Sequence, residues 1–364
     1  IQYLLKKSVG VSIELLTGSI NLKKRKIIHE KLNNGELHIL IGTHAVFEDN
    51  VKFKNLGLAI IDEQHRFGVA QRSSLWVKNK IPPHILVMTA TPIPRTLAMS
   101  LYGDLDISII DSLPPGRKPV KTIHRYDNKR LSVFAFLKEQ IKKGRQVYIV
   151  YPLIKESEKL DYKDLMDGYE SITRSFPSPD YQISIVHGKM KSEDKSYEME
   201  RFKKGKTQIM VATTVIEVGV NIPNASVMII ESAERFGLSQ LHQLRGRVGR
   251  GNEQSFCILM SGSKISTNGI KRLETMVKTN DGFEIAEADL ELRGPGNLMG
   301  TQQSGILKLK IADLVKDHEL LKIVRDEAKS ILNNDPQLNN NEHQIIKKTL
   351  SSNYLESNFW NFIS

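Results

Sequence analysis

Short apolar segments alternate with amphipathic ones twice along the 364 residues, and that rhythm constrains the fold more than any other feature of the chain. Strands that each lead into a helix close into parallel sheets with helices on both faces, because every crossover helix buries its apolar stripe against the sheet. In the first half the strand candidates are 13–16, 38–41, 58–62 and 85–89; in the second they are 146–150, 183–186, 208–212, 227–230 and 256–260. Two α/β units in tandem are expected. Their boundary is placed in DSLPPGRKPV, residues 111–120, where three prolines and a glycine oppose a continuous helix or strand.

End signals refine the pattern. Ser192 is expected to cap a helix with Glu193 and Asp194 in its first turn, Lys203 and Lys204 in its last, and Gly205 as its stop. Residues 161–180, ending in FPSPD, read as a loop-rich insertion. Past Met260 the strand and helix rhythm stops: 262–305 is rich in glycine and charge, and the stretch from 307 reads as helix interrupted by NNDPQLNNNEH. The expected division is 1–112, 113–262, 263–306 and 307–364.

Lysine and arginine outnumber aspartate and glutamate by 52 − 41 = 11, a positive field that attracts polyanions such as nucleic acid. The one cysteine, Cys257 in SFCILM, reads as part of a buried strand; it excludes an internal disulfide framework and a thiolate-rich zinc site, and fits a reducing cytoplasm. No apolar run approaches the roughly 20 residues that span a bilayer, so no membrane role is expected. The start, IQYLLKKSVG, has helical character and no initiator methionine, which suggests a longer parent chain.

LGLAIIDEQHRFG, residues 56–68, ends an apolar strand in Asp62 and Glu63. That puts two carboxylates at the carboxyl edge of a parallel sheet, where open α/β folds bind ligands. An aspartate there can hold Mg²⁺ through water, and the adjacent glutamate can orient and deprotonate a water attacking a terminal phosphate. A bare DE pair also reads as a strand end followed by an acidic helix start. TATPIPRT, residues 89–96, follows the next strand, and its small hydroxyl residues can link a nucleotide site to a moving interface. TGS at 17–19 and THAVF at 43–47 can offer hydroxyls and backbone N–H groups to DNA phosphates.

In the second unit ATTVIEVGVNIP, residues 212–223, follows a strand, and QLHQLRGRVGRG, residues 240–251, interleaves Arg245, Arg247 and Arg250 with Gly246, Gly249 and Gly251. Arginines three apart share one side of a helical turn, and glycines admit a phosphate closely, which suits stabilisation of charge on a transferring phosphoryl group. KKGKT at 203–207 ends like a phosphate-binding loop, but that motif needs glycine where Glu200 stands and links a strand to a helix, not a helix to a strand. The 364 residues contain no such loop.

In order, these strings resemble the motifs of superfamily 2 helicases, in which two RecA-like domains close on ATP. DEQHRFGVAQR, TATPIPRTLAM, LYGDLDIS, QVYIVYPLIKESEKL, AERFGLSQLHQLRGRVGRG and DGFEIAEADLELRGPGNLMGTQQSG together resemble the RecG family. The related transcription-repair coupling factors share the motor but carry other residues where Gln64, His242 and Pro295 stand here.

The resemblance implies two RecA-like parallel-sheet motor domains, the first incomplete, followed by a helical hairpin and loop translocation element and a helical tail. It implies ATP and Mg²⁺ as cofactors, with Asp62 coordinating the metal and Glu63 as catalytic base, while Gln64 and His65 couple the nucleotide state to the interdomain contact. Arg247 and Arg250 would reach the phosphates with Gln243 in support. Glu217 and Gly219 belong to the motif joining ATP to DNA contacts, and Asn221 stands where aspartate is usual, keeping an acceptor for a ribose hydroxyl without the charge. Thr17, Gly18, Thr43, His44, Thr89, Thr91 and Thr213 fall at DNA-contacting or coupling positions, and Arg272, Arg293 and Gln303 at the polar positions of the translocation element.

Duplex and branched DNA, with single-stranded DNA-binding protein, are the implied partners of a monomeric cytoplasmic enzyme. A DNA-binding module without catalysis and a coupling-factor-like translocase are the alternatives. An incomplete first sheet would leave apolar faces uncovered, so the first domain is expected to be weakly stable by itself.

Overall fold

The computed structural model describes residues 10–63, 75, 78, 81–89, 108–110, 112–152, 158–213, 222–293 and 317–354. The chain divides into two compact units, one formed by 1–90, 299–308 and 319–364, the other by 91–298 and 309–318.

In the first unit β1 (Ile13–Leu16) and β2 (Ile39–Gly42) pair in parallel, with Leu16 opposite Gly42. α1 (Leu22–Asn34) makes the crossover; the Asn21 side chain accepts the Lys24 N–H at 2.9 Å, and Gly35, at φ 82°, stops the helix. Ile28 and Leu32 of α1 bury against Leu16, Leu37, Ala45 and Val51. A second parallel pair, β3 (Leu58–Ile61) with β4 (His84–Val87), joins Ile61 to Val87. Leu58 and Ile60 are more than half exposed, at 55% and 57%, and Leu86 of β4 is 48% exposed. Parallel sheets are ordinarily covered on both faces, so this pair lacks the burial that holds such strands together. Hydrogen exchange is therefore expected to be faster at β3 and β4 than in the second unit's sheet; equal protection would contradict a weakly stable first unit.

The second unit is a six-stranded sheet in the order β5 (Lys121–Tyr126), β10 (Phe256–Ser261), β9 (Ala225–Ile230), β6 (Gln146–Tyr151), β8 (Ile209–Thr213), β7 (Ile183–Val186), with every pairing parallel. The four inner strands are buried almost throughout, as a sheet covered on both sides demands. Alternate residues serve opposite faces. Val147, Ile149, Ile209, Val211 and Ile229 pack with α2 (Arg130–Lys142) and α3 (Glu158–Ser175). Tyr148, Val150, Met210, Met228 and Cys257 pack with α4 (Ser192–Lys203), α5 (Leu238–Arg245), α6 (Thr267–Lys278) and α7 (Gly282–Arg293).

Three local expectations change. Residues 161–180 are not chiefly loop: α3 runs from 158 to 175 and buries Leu165 and Ile172, one face of the helix, with Phe176 just beyond it. Gly168 sits within it because a Cβ there would lie 2.3 Å from the Tyr151 ring, so the glycine serves close helix packing and does not break the helix. Ser192 is the first residue of α4 and not its cap. The turn closed by Met190 N–H to His187 O delivers Lys191 to the cap position, with no side-chain cap bond, although Glu193 and Asp194 do occupy the first turn. β5 was not anticipated, since KTIHRY is a half-exposed edge strand whose polar residues hide its period.

The last described residues form α8 (His318–Asn334) and α9 (Gln344–Tyr354), separated by the polar turn that the sequence marks. Its anchor is Asp335, which accepts the Asn339 and Asn340 N–H groups and His343 Nδ1, each at 2.9 Å. Those bonds, the His343 contact first, hold the carboxyl down to about 2. A depressed folded pKa contributes stability above the ordinary carboxylate range that is lost as pH falls toward 2. An NMR titration of the Asp335 side-chain carboxyl is expected to show a midpoint near 2; one near 4 would contradict the turn.

Candidate functional site

Asp62 and Glu63 directly follow β3, and Thr89 lies two residues past β4, so the first unit gathers all three at one carboxyl edge. The Met88 N–H continues the ladder to Ile61 O at 2.8 Å and sets this juxtaposition. The Asp62 carboxylate is exposed and folds back so that Oδ1 accepts the Glu63 N–H at 2.9 Å. Glu63 takes φ 51°, the left-handed region that costs an L-residue about 1–2 kcal/mol and recurs at functional sites. The left-handed turn redirects the chain between the neighbouring carboxylates.

The β1 and β2 pair does the same for Thr17, Gly18, Thr43 and His44. Thr43 N–H reaches Leu16 O at 3.3 Å, and Thr17 Oγ1 lies 3.0 Å from Ser19 Oγ. Gly42 is required here, since a Cβ would meet Leu16 O at 2.4 Å.

In the second unit α5 stops at Arg245, so Arg247 and Arg250 lie beyond the helix and not on one of its sides. Arg245 faces inward. At 3% exposure it donates to Met276 O at 3.0 Å and Thr279 O at 2.8 Å, the carbonyl end of α6, and to His242 Nδ1 at 3.2 Å. Because a guanidinium only donates, His242 Nδ1 accepts, and the ring is neutral with its proton on Nε2. Burial, then the Arg245 charge, pushes the His242 pKa down to about 4. Arg245 is therefore a packing cation at a helix C-terminus, unlike the phosphate-facing residue its spacing suggests.

Arg247 is half-buried and Arg250 exposed, with Gln243 half-buried on α5. Although Arg250 is exposed as a whole residue, partial desolvation of its guanidinium, then the neighbouring charges of Arg247 and Arg117, holds it below the usual guanidinium range. Like charges gathered in this way are relieved by an anion. Arg117 was missed; its only signal in the sequence is an arginine among the prolines of the boundary segment.

Arg272 on α6 donates to Phe236 O at 2.7 Å and Glu234 O at 3.0 Å, the turn that leads into α5. Ser239 Oγ on α5 lies 3.3 Å from Asp289 Oδ2 on α7. The helical pair α6 and α7 is thereby fastened to the arginine-bearing element at several points. Arg293 is the last residue of α7. Thr213 ends β8 with its hydroxyl buried and without a hydrogen-bond partner among the described residues. Gln64, His65, Thr91, Glu217, Gly219, Asn221 and Gln303 lie outside the described residues.

Residues 1–100 match the DEAD/DEAH box helicase family and 129–252 the helicase conserved C-terminal domain. Residues 279–364 match the family described as ATP-dependent DNA helicase RecG, domain 3, C-terminal. The chain is 50% identical over 96% of its length to the ATP-dependent DNA helicase RecG of Aquifex aeolicus, and 48% identical over 93% to that of Bacillus subtilis. The chain is RecG-like over nearly its whole length. It spans 44% and 49% of the length of those two relatives.

A solved structure of RecG bound to a three-way DNA junction superposes with a TM-score of 0.66 at 40% identity, covering 88% of this chain and 41% of that one. A Mycobacterium smegmatis helicase Lhr structure, 19% identical with a TM-score of 0.54, shows the shared fold alone. Both α/β units are accordingly RecA-like, and in this RecG-type chain a helical pair and a helical tail follow them. Among the described residues no helix is long and apolar enough to cross a membrane.

Proposed function

We propose that the protein hydrolyses ATP to move on duplex DNA and remodels branched structures such as stalled forks and Holliday junctions. The observation that carries this reading is the match to RecG helicases along nearly the whole chain, through both motor units and the RecG-specific segment after them. ATP supplies the driving phosphoryl transfer. Asp62, exposed beside Glu63, fits a magnesium ion held through water, and Glu63 takes the proton of the attacking water, with His65 beside it in the motif. Arg247 and Arg250 stabilise charge on the transferring group, supported by Gln243. Gly219 and Asn221 belong to the nucleotide side, and Glu217, Thr89, Thr91 and Thr213 relay its state.

Thr17, Gly18, Thr43 and His44 present hydroxyls and backbone amides to the DNA backbone, and Arg272, Arg293 and Gln303 serve the translocation element. The functional division follows 1–112, 113–262, 263–306 and 307–364. A monomer acting in the cytoplasm, with single-stranded DNA-binding protein as a further partner, completes the reading.

The test is remodelling of a labelled three-way junction by a chain extended upstream to the length of its relatives. ATP-dependent conversion to duplex products is expected, and junctions that stay intact with ATP present would contradict it. The 364-residue chain itself is expected to bind DNA with an affinity that falls steeply with salt, by a logarithmic slope of roughly 0.9 per phosphate neutralised. A salt-insensitive affinity would count against a DNA role.

A further inference from the structure

The proline-rich segment at 114–120 lies within the second unit and packs against the loop that follows α5. Arg117 Nε–H donates to Gly249 O at 2.8 Å, in the middle of the loop that carries Arg247 and Arg250. Gly249 is left-handed at φ 79°, and a Cβ there would stand 2.9 Å from Val120 Cγ2, so the segment lies directly against that loop. Further along, Gln254 Nε2 donates to Pro119 O at 2.8 Å and Lys121 N–H to Ser255 O at 2.9 Å, which continues the contact into the β5 and β10 ladder. On its near side the segment is closed by its own turn, Arg117 N–H to Pro114 O at 3.1 Å, with Gly116 at φ 80°. Prolines pre-set the backbone and lower the entropy lost on ordering it, which suits a strap better than a hinge.

We propose that residues 114–120 form a strap that sets the geometry of the arginine loop, with Arg117 as its positioning residue. The loop after α5 has few backbone bonds of its own: Arg247 N–H to Leu244 O and Val248 N–H to Arg245 O are made, and then the chain turns at Gly249. The Arg117 bond falls at that turn and fixes the point about which Arg247 and Arg250 are displayed. Its charge adds a third guanidinium to the pair, so the strap also strengthens the local field that an anionic phosphate meets. This second element rests on the reading of Arg247 and Arg250 as the phosphate-facing pair; the strap itself does not.

Hydrogen exchange on the 364-residue chain without nucleotide tests the strap. Arg117→Ala is expected to speed uptake in peptides covering 246–251 by about tenfold while β6, β8 and β9 keep their protection, and Arg117→Lys, which retains a cationic donor, to return uptake to within about threefold of the parent. Unchanged uptake in Arg117→Ala, an equal rise across the whole second unit, or no recovery with lysine would overturn it. Millimolar inorganic pyrophosphate then reads the phosphate-facing part: it is expected to slow exchange at 246–251 in the parent chain and less so in Arg117→Ala. A strap signature without any pyrophosphate effect would keep the strap and overturn the phosphate-facing reading on which the added charge depends.

Discussion

Arg245→Ala is expected to destabilise the second unit by about 3 kcal/mol and to lower its thermal midpoint by roughly 6–12 °C. Two effects oppose each other. Removing a buried cation with no carboxylate among its partners relieves a desolvation cost. Against that, Met276 O and Thr279 O lose the donors that satisfy the carbonyl end of α6, and a volume the size of an arginine empties beside Leu244 and Cys257. The second pair of effects prevails because the guanidinium reaches both carbonyls at or below 3.0 Å, whereas the desolvation is shared by four acceptors, these two carbonyls, His242 Nδ1 and, at 3.5 Å, Thr122 Oγ1. Arg245→Met, which keeps most of the volume, isolates the polar share and is expected to cost about half as much. Urea midpoints at constant slope are the measurement, and a change below about 1 kcal/mol for alanine would show that α6 does not depend on this arginine.

Glu63→Gln is expected to lower ATP hydrolysis by about 10²–10⁴-fold in the extended protein, with nucleotide affinity little changed. Glutamine keeps the size and hydrogen-bonding reach of the side chain but cannot take a proton. The left-handed turn at φ 51° is a backbone feature and survives the change, so the carboxylate chemistry is the quantity removed. A fall in affinity with turnover unaltered would instead assign Glu63 to nucleotide binding.

Much of the fold was legible because burial and period coincide. The runs at 13–16 and 183–186 are strands with those same bounds, and SFCILM holds the buried Cys257 on β10. What escaped is physically informative. β5 alternates weakly because an edge strand is only half covered, and α3 was obscured because its polar sequence runs into FPSPD, which reads as loop. At the site, the strand-end carboxylates follow from the sequence, since an apolar run ending in acids fixes their edge. The fates of the three arginines do not. Spacing places Arg245, Arg247 and Arg250 together, yet only packing against the carbonyl end of α6 turns Arg245 inward, and only the fold brings Arg117 from 132 positions away to Gly249.

The most direct test of the central claim, that these residues belong to a RecG-type motor, is DNA-stimulated ATP hydrolysis on forked duplex. It compares the 364-residue chain with one extended upstream to the length of its relatives, each with and without Glu63→Gln. Activity confined to the extended chain, stimulated by the fork and removed by the substitution, is the result predicted. Hydrolysis by the shorter chain, in which no phosphate-binding loop occurs, or an extended chain indifferent to forked DNA, would contradict it.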